Sequence, residues 1–229
     1  MIIGAVNAQE SVYPAKEFKG RLFITNGTIH IGNGQVIENG TIEVNNGKIV
    51  QVAANITIPA GDVKVVDAKG KQVYPGLILS STDIGLKEIG SGVRGSNDVN
   101  EIGDLNPSVR SIVAYNTDSK FINPLRAMGI LLAGITPQGG TISGSSSVVQ
   151  FDAWNWEDAA YRMDGGIHIN MPSFFVRPSS SRRRAPGQTP PGDQIKEAQN
   201  KVETIKSFLR QAQAYSLVAS HKNLSLIHI

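Results

Sequence analysis

"VYPGLILSSTDIGL" (residues 73–86) decides how the rest of the chain is read. The run from Gly76 to Leu79 is short and apolar, as a buried strand would be, and it passes directly into Ser80-Ser81-Thr82-Asp83. Folds built on parallel sheets gather their chemistry at the carboxyl ends of strands, so this cluster of hydroxyls and one carboxylate is the first candidate site.

Upstream, from Arg21 to Pro75, the sequence reads as β throughout. Thr41-Ile42-Glu43-Val44 and Lys48-Ile49-Val50-Gln51-Val52 alternate apolar and polar with period two. Asn-Gly pairs punctuate this stretch at Asn26-Gly27, Asn33-Gly34, Asn39-Gly40 and Asn46-Gly47. Asn-Gly tolerates the positive φ of two-residue hairpin turns, which predicts hairpins in a small antiparallel sheet or sandwich over residues 9–75.

Downstream the texture changes to short apolar strands, glycine-rich loops and helical stretches. Residues 85–106 read as a long loop, and Asn106-Pro107-Ser108 as the start of a helix with an N1 proline. "NPLRAMGILLAGITPQGG" (residues 123–140) predicts a second helix stopped by Gly129, then a continuously apolar strand from Ile130 to Ile135. Strands buried on both faces read this way and belong to parallel α/β sheets. "SVVQF" (residues 147–151) and "GGIHINM" (residues 165–171) are weaker strand candidates, with a short helix expected in "WNWEDAAYRM" between them. Trp154 and Trp156 near Asp152 and Asp158 read as helix anchors rather than a sugar-stacking surface. The Pro/Ser/Arg stretch around Arg182-Arg183-Arg184 reads as a solvated insertion. Beyond it, Ile195, Ala198, Val202, Ile205, Leu209 and Ala212 space an amphipathic helix that packs on its own domain.

Composition narrows the function. The 229 residues are 40% hydrophobic, enough for a real core, and the formal charge of +3 is too small and too dispersed for a nucleic-acid partner. There is no cysteine, so disulfides, thiolate metal sites and cysteine nucleophiles are excluded. No run approaches the roughly 18 apolar residues of a membrane span. "MIIGAVNAQES" (residues 1–11) reads as the end of a secretory signal, residues 1–8, with Ala8 at an A-x-A-like cleavage position. That implies a periplasmic or secreted protein.

A β module ending in "KQVYPGLI", followed by an apolar strand into a polar cluster, resembles the amidohydrolase superfamily of metal-dependent hydrolases. The run "NGTI…NGTIEVNNGKIVQV…D…VYPGLI" carries most of that resemblance, and "GILLAGITPQGGTISGSSSVVQ" (residues 129–150) is similar to the second barrel strand and loop of the imidazolonepropionase-like branch. The resemblance implies a composite β-sandwich portion over residues 9–75, followed over residues 76–229 by the opening βα units of a (β/α)8 barrel. A whole barrel takes about 250 residues, so the barrel is expected to be truncated. It also implies hydrolysis of C–N bonds in cyclic or peptide-like amides, assisted by a divalent metal such as zinc.

In that family the first strand ends in Asp-x-His-x-His, whose imidazoles hold the metal. On this chain the Asp position falls on Leu79 and the two histidines on Ser81 and Asp83. Asp83 keeps one carboxylate as a metal ligand, and Ser81 is a poor one. The ordinary mechanism is therefore expected to be degenerate. The alternative is a non-catalytic homologue that binds a ligand, or that pairs with an active relative or with itself. The tail "HKNLSLIHI" (residues 221–229) continues none of these patterns, and its last residues read as non-native.

Among the four histidines, His30 lies in an early hairpin, and His221 and His228 in the tail. His168 alternates with Ile167 and Ile169 and shares a face with Asn170, which makes it either a metal ligand or a hydrogen-bonded core residue. "TPQGGTISGSSS" (residues 136–147) matches neither phosphate-loop fingerprint, yet its glycines and hydroxyls suit substrate contact by Gly139, Gly140, Ser143 and Ser145. Ser80 and Ser81 lack the G-x-S-x-G elbow of a serine nucleophile.

Overall fold

The structure, a computed structural model, describes residues 14–15, 18–88, 97–175 and 191–220. The expected signal at residues 1–8, the arginine run and the tail histidines lie outside them.

Two sheets form. Sheet A holds β1 (Arg21–His30), β2 (Val36–Asn45), β3 (Lys48–Ala53), β4 (Val63–Asp67) and β5 (Gln72–Val73), in the order β3-β2-β1-β4 with β5 also on β1. Period-two alternation sends Phe23, Thr25, Gly27 and Ile29 to the buried face of β1. Burying Phe23 completely contributes on the order of 1.5–3 kcal/mol.

The sheet departs from the expected row of hairpins. Asn46-Gly47 does make the two-residue turn, with φ of 47° and 75°. Asn26-Gly27 and Asn39-Gly40 instead lie inside β1 and β2, where Gly27 faces Gly40 and the register slips. The positive φ of Asn26 (59°) and Asn39 (49°) forms a bulge rather than a turn, since a bulge calls on the same backbone region. A Cβ on Gly40 would sit 2.5 Å from Ile29 Cδ1, so the glycine leaves room for that buried side chain. The sheet is also mixed: β4 and β5 run parallel to β1. Among the described residues sheet A is one layer, not a sandwich.

Sheet B holds β6 (Leu77–Thr82), β7 (Ile130–Ile135), β8 (Ile142–Gln150) and β9 (Ala160–Ile169), in that order. β7 has the predicted bounds, and β6 extends through the polar cluster to Thr82. β6 and β7 are parallel, as a βα unit requires, but β8 is antiparallel to β7 and β9 antiparallel to β8. Only residues 136–141 join β7 to β8, too short for the crossover a parallel neighbour needs. The described residues therefore give one parallel pair extended by a hairpin.

Helix α1 (Ile122–Ala127) precedes Gly129, whose φ is 85°, as expected. The helix expected at Asn106 is absent, because that backbone is used elsewhere: residues 105–110 lie along β8 through bridges Leu105↔Ile142 and Arg110↔Ser145. A short 3-10 turn (Ser111–Ala114) follows. α2 (Trp156–Ala159) is a single turn capped by Asn155, and Tyr161 to Met163 belong to β9 instead. Ile112, Ile122, Ala133, Ile135, Val149 and Phe151 form the core against sheet B. α3 (Pro191–Ser220) covers the predicted helix but buries only Ala198 and Ile205 of its stripe, leaving Leu209 half exposed.

Candidate functional site

The carboxyl ends of β6 and β7 meet at Ser81 and Thr136. Their hydroxyls are 3.0 Å apart, and the Thr136 amide donates to the Thr82 carbonyl at 2.9 Å. Asp83 follows in a turn, where its carbonyl accepts from the amides of Leu86 and Lys87. That turn is held from behind: the Asn116 amide donates to the Gly85 carbonyl at 2.8 Å, and the Glu88 carboxylate accepts from Asn116 Nδ2 and Ser119 Oγ. Tyr115 packs beneath it, and burial, with the nearby Glu88 charge adding, pushes its phenol pKa far up.

The glycine-rich loop is tied down by its own chain. Asp104 places its carboxylate on Thr141, accepting from the Thr141 amide at 2.9 Å and from Thr141 Oγ1 at 2.8 Å. An acceptor thus already fills the place where the loop would cradle an anion. Asn170 Nδ2 donates to the Gly140 carbonyl at 2.8 Å and to Ser143 Oγ at 2.9 Å, and Ser143 Oγ donates to the Gly139 carbonyl at 2.7 Å. Ser143 and Ser145 are buried, so their hydroxyls hold the fold, while Gly139 and Gly140 stay half exposed near the strand ends.

Asp83 and His168 do not meet. Three strand-to-strand steps separate β6 from β9, about 14 Å at the usual spacing. One metal ion binds its ligands at about 2 Å, so these two residues cannot share one. Among the described residues no three His, Asp or Glu side chains form a metal-binding group. The resemblance implies an imidazole at Ser81, and with a hydroxyl there the donor set among the described residues does not fit zinc.

Sequence reading missed a second cluster. Arg110 forks onto Asp164, with Nε to Oδ1 at 3.0 Å and NH2 to Oδ2 at 2.7 Å. Ser145 Oγ donates to the same Oδ1 at 2.9 Å, and the Asp164 amide donates to Ser147 Oγ at 3.1 Å. The hydrogen bonds from Arg110 and Ser145 hold the Asp164 carboxyl below the usual carboxylate range. Asp164 adopts φ of 50°, and the Asp-Gly-Gly run at 164–166 was the only local hint of such a bend. Nothing in the sequence pairs Arg110 with a residue 54 positions away.

A mixed β module leads through Pro-Gly into a parallel strand pair with a polar carboxyl end, an arrangement that this chain shares with a solved amidohydrolase. An amidohydrolase from Thermotoga maritima MSB8 superposes with a TM-score of 0.66 over 87% of this chain at 21% identity. The chain spans about half of that protein, 49% of its length. A prolidase complexed with N-methylphosphonate-L-proline (17% identity, 49% of this chain and 25% of that one, TM-score 0.35) overlaps less. So does molinate hydrolase (27% identity, 30% and 15%, TM-score 0.27). No protein-family model and no curated protein matches the chain. No helix among the described residues is long and apolar enough to cross a membrane.

Proposed function

We propose that the chain is part of an amidohydrolase-superfamily protein whose first-strand metal position has become a hydroxyl site. At the level of the family the reaction is hydrolysis of C–N bonds in small cyclic or peptide-like amides. The observation that carries the reading is the Ser81–Thr136 hydroxyl pair at the end of the β6–β7 parallel pair. Two neutral hydroxyls can donate to and accept from an amide, but they offer a divalent ion little charge. The site therefore suits binding of a small polar amide, through Ser81, Thr136 and the Gly139–Gly140 edge, better than metal-assisted attack. A periplasmic or secreted location, and a pairing with itself or with an active homologue, complete the proposal.

A second reading keeps catalysis: Asp83 supplies one ligand and the other donors come from beyond these residues. The half-buried position of Asp83 at the strand end favours it. Elemental analysis of the gently purified full-length protein separates the two. Folded protein without a stoichiometric divalent metal supports the binding site. About one ion per chain, lost in Asp83→Ala, overturns that reading and supports the hydrolase.

A further inference from the structure

Sheet B has a concave surface at the end opposite Ser81. The β6–β7 pair begins at Leu77↔Ile130 and finishes at Thr82↔Ile135. Around its beginning, β6, α1, β7, the end of β8 and the start of β9 line an open cleft of about 510 Å³. That size falls in the roughly 300–1,000 Å³ range of small-molecule sites.

Its walls have two characters. Ile78 (64% exposed), Leu131 (53%) and Tyr161 (70%) leave apolar surface in water at the mouth. Opposite charges sit together on the other side, with Arg126 NH2 to Asp152 Oδ1 at 2.8 Å and each side chain about a third exposed. Asp152 Oδ2 also accepts from the Ala15 amide at 3.1 Å, which fixes the carboxylate in place. Gly76 keeps the floor open: a Cβ there would lie 2.4 Å from Leu131 Cδ1 and drive that side chain out of position.

The geometry points to a binding site for a free α-amino acid with an apolar side chain. The guanidinium of Arg126 has donors beyond the one given to Asp152 and a fork shape that matches a carboxylate. Asp152 offers further lone pairs to an α-ammonium, and Ile78, Leu131 and Tyr161 cover the side chain. A zwitterion answers both charges at once. A ligand with only one charge leaves either Arg126 or Asp152 without a new partner. The site is independent of Ser81 and Asp83.

NMR titration of the 229-residue protein with L-leucine and L-phenylalanine tests this. Saturable shifts at Leu131, Gln150 and Tyr161 are expected, with N-acetyl-leucine and leucinamide binding about tenfold or more weakly. Arg126→Gln and Asp152→Asn are each expected to weaken leucine binding about tenfold or more. Ile78→Gln, at an exposed position that folding tolerates, weakens it too, and Asp83→Ala leaves it unchanged. Absence of saturation below about 10 mM, equal binding of N-acetyl-leucine, or shifts confined to Ser81 and Thr136 would each overturn the assignment.

Discussion

Ser81 Oγ and Thr136 Oγ1 lie 3.0 Å apart, joining the carboxyl ends of two parallel strands whose residues are 55 positions apart in sequence. The Ser81 hydroxyl thus finds its partner on the next strand. Thr136→Val removes that partner. Because Ser81 is exposed, water replaces the lost bond, and the expected cost is at the low end of about 0.5–1.5 kcal/mol. Chemical denaturation measures it; a loss above about 3 kcal/mol would show that the pair holds the sheet together rather than furnishing a surface.

The Arg110–Asp164 pair makes stability depend on pH in a definite direction. The folded carboxyl of Asp164 has a lowered pKa, so its contribution is fully present above the unfolded value of about 3.9 and fades as pH falls through the folded value. Asp164→Asn keeps a residue that tolerates φ of 50° but removes the charge. Melting temperature against pH should flatten below about pH 4 in this variant, and an unchanged profile would assign the acid sensitivity to other carboxylates.

Gly144 has φ of 124°, and a Cβ there would lie 2.5 Å from the Val109 carbonyl oxygen. Residues 104–110 can lie against β8 only because that space is empty. Gly144→Ala is expected to destabilise by about 2 kcal/mol or more, from backbone strain and from the broken Ser145 N–H to Val109 bond. Thermal unfolding reads this directly, and a change below about 0.5 kcal/mol would contradict the close contact.

The Tyr115 hydroxyl is buried without a hydrogen-bond partner among the described residues. Removing an unsatisfied buried group relieves its desolvation cost, so Tyr115→Phe should stabilise by about 1 kcal/mol. Denaturant midpoints compare the two proteins, and a destabilised variant would show that the hydroxyl is bound to something in solution.

Local signals on the sequence settled much of the architecture. The period-two alternation in residues 41–52, the Gly129 stop and the uninterrupted apolar run Ile130 to Ile135 each act within a few residues, so the corresponding strands and helix are where they were expected. The same signals failed where one local preference serves two structures. Asn-Gly at 26–27 and 39–40 reads as a turn, but positive φ serves a bulge equally well, and only pairing of Gly27 with Gly40 across the sheet chose between them. Asn106-Pro107 suits a helix start, yet its backbone is committed to β8.

The sequence by itself determined that hydroxyls and a carboxylate, not imidazoles, follow the first apolar strand and that cysteine chemistry is impossible, because those are matters of which atoms are present. Only the tertiary structure decided where the polar groups went. Ser81 met Thr136, Asp104 filled the glycine loop, Arg110 reached Asp164, and Asp83 and His168 were held three strands apart. These outcomes depend on strand order and register, which the long-range pairing of the sheet sets and no window of a few residues contains.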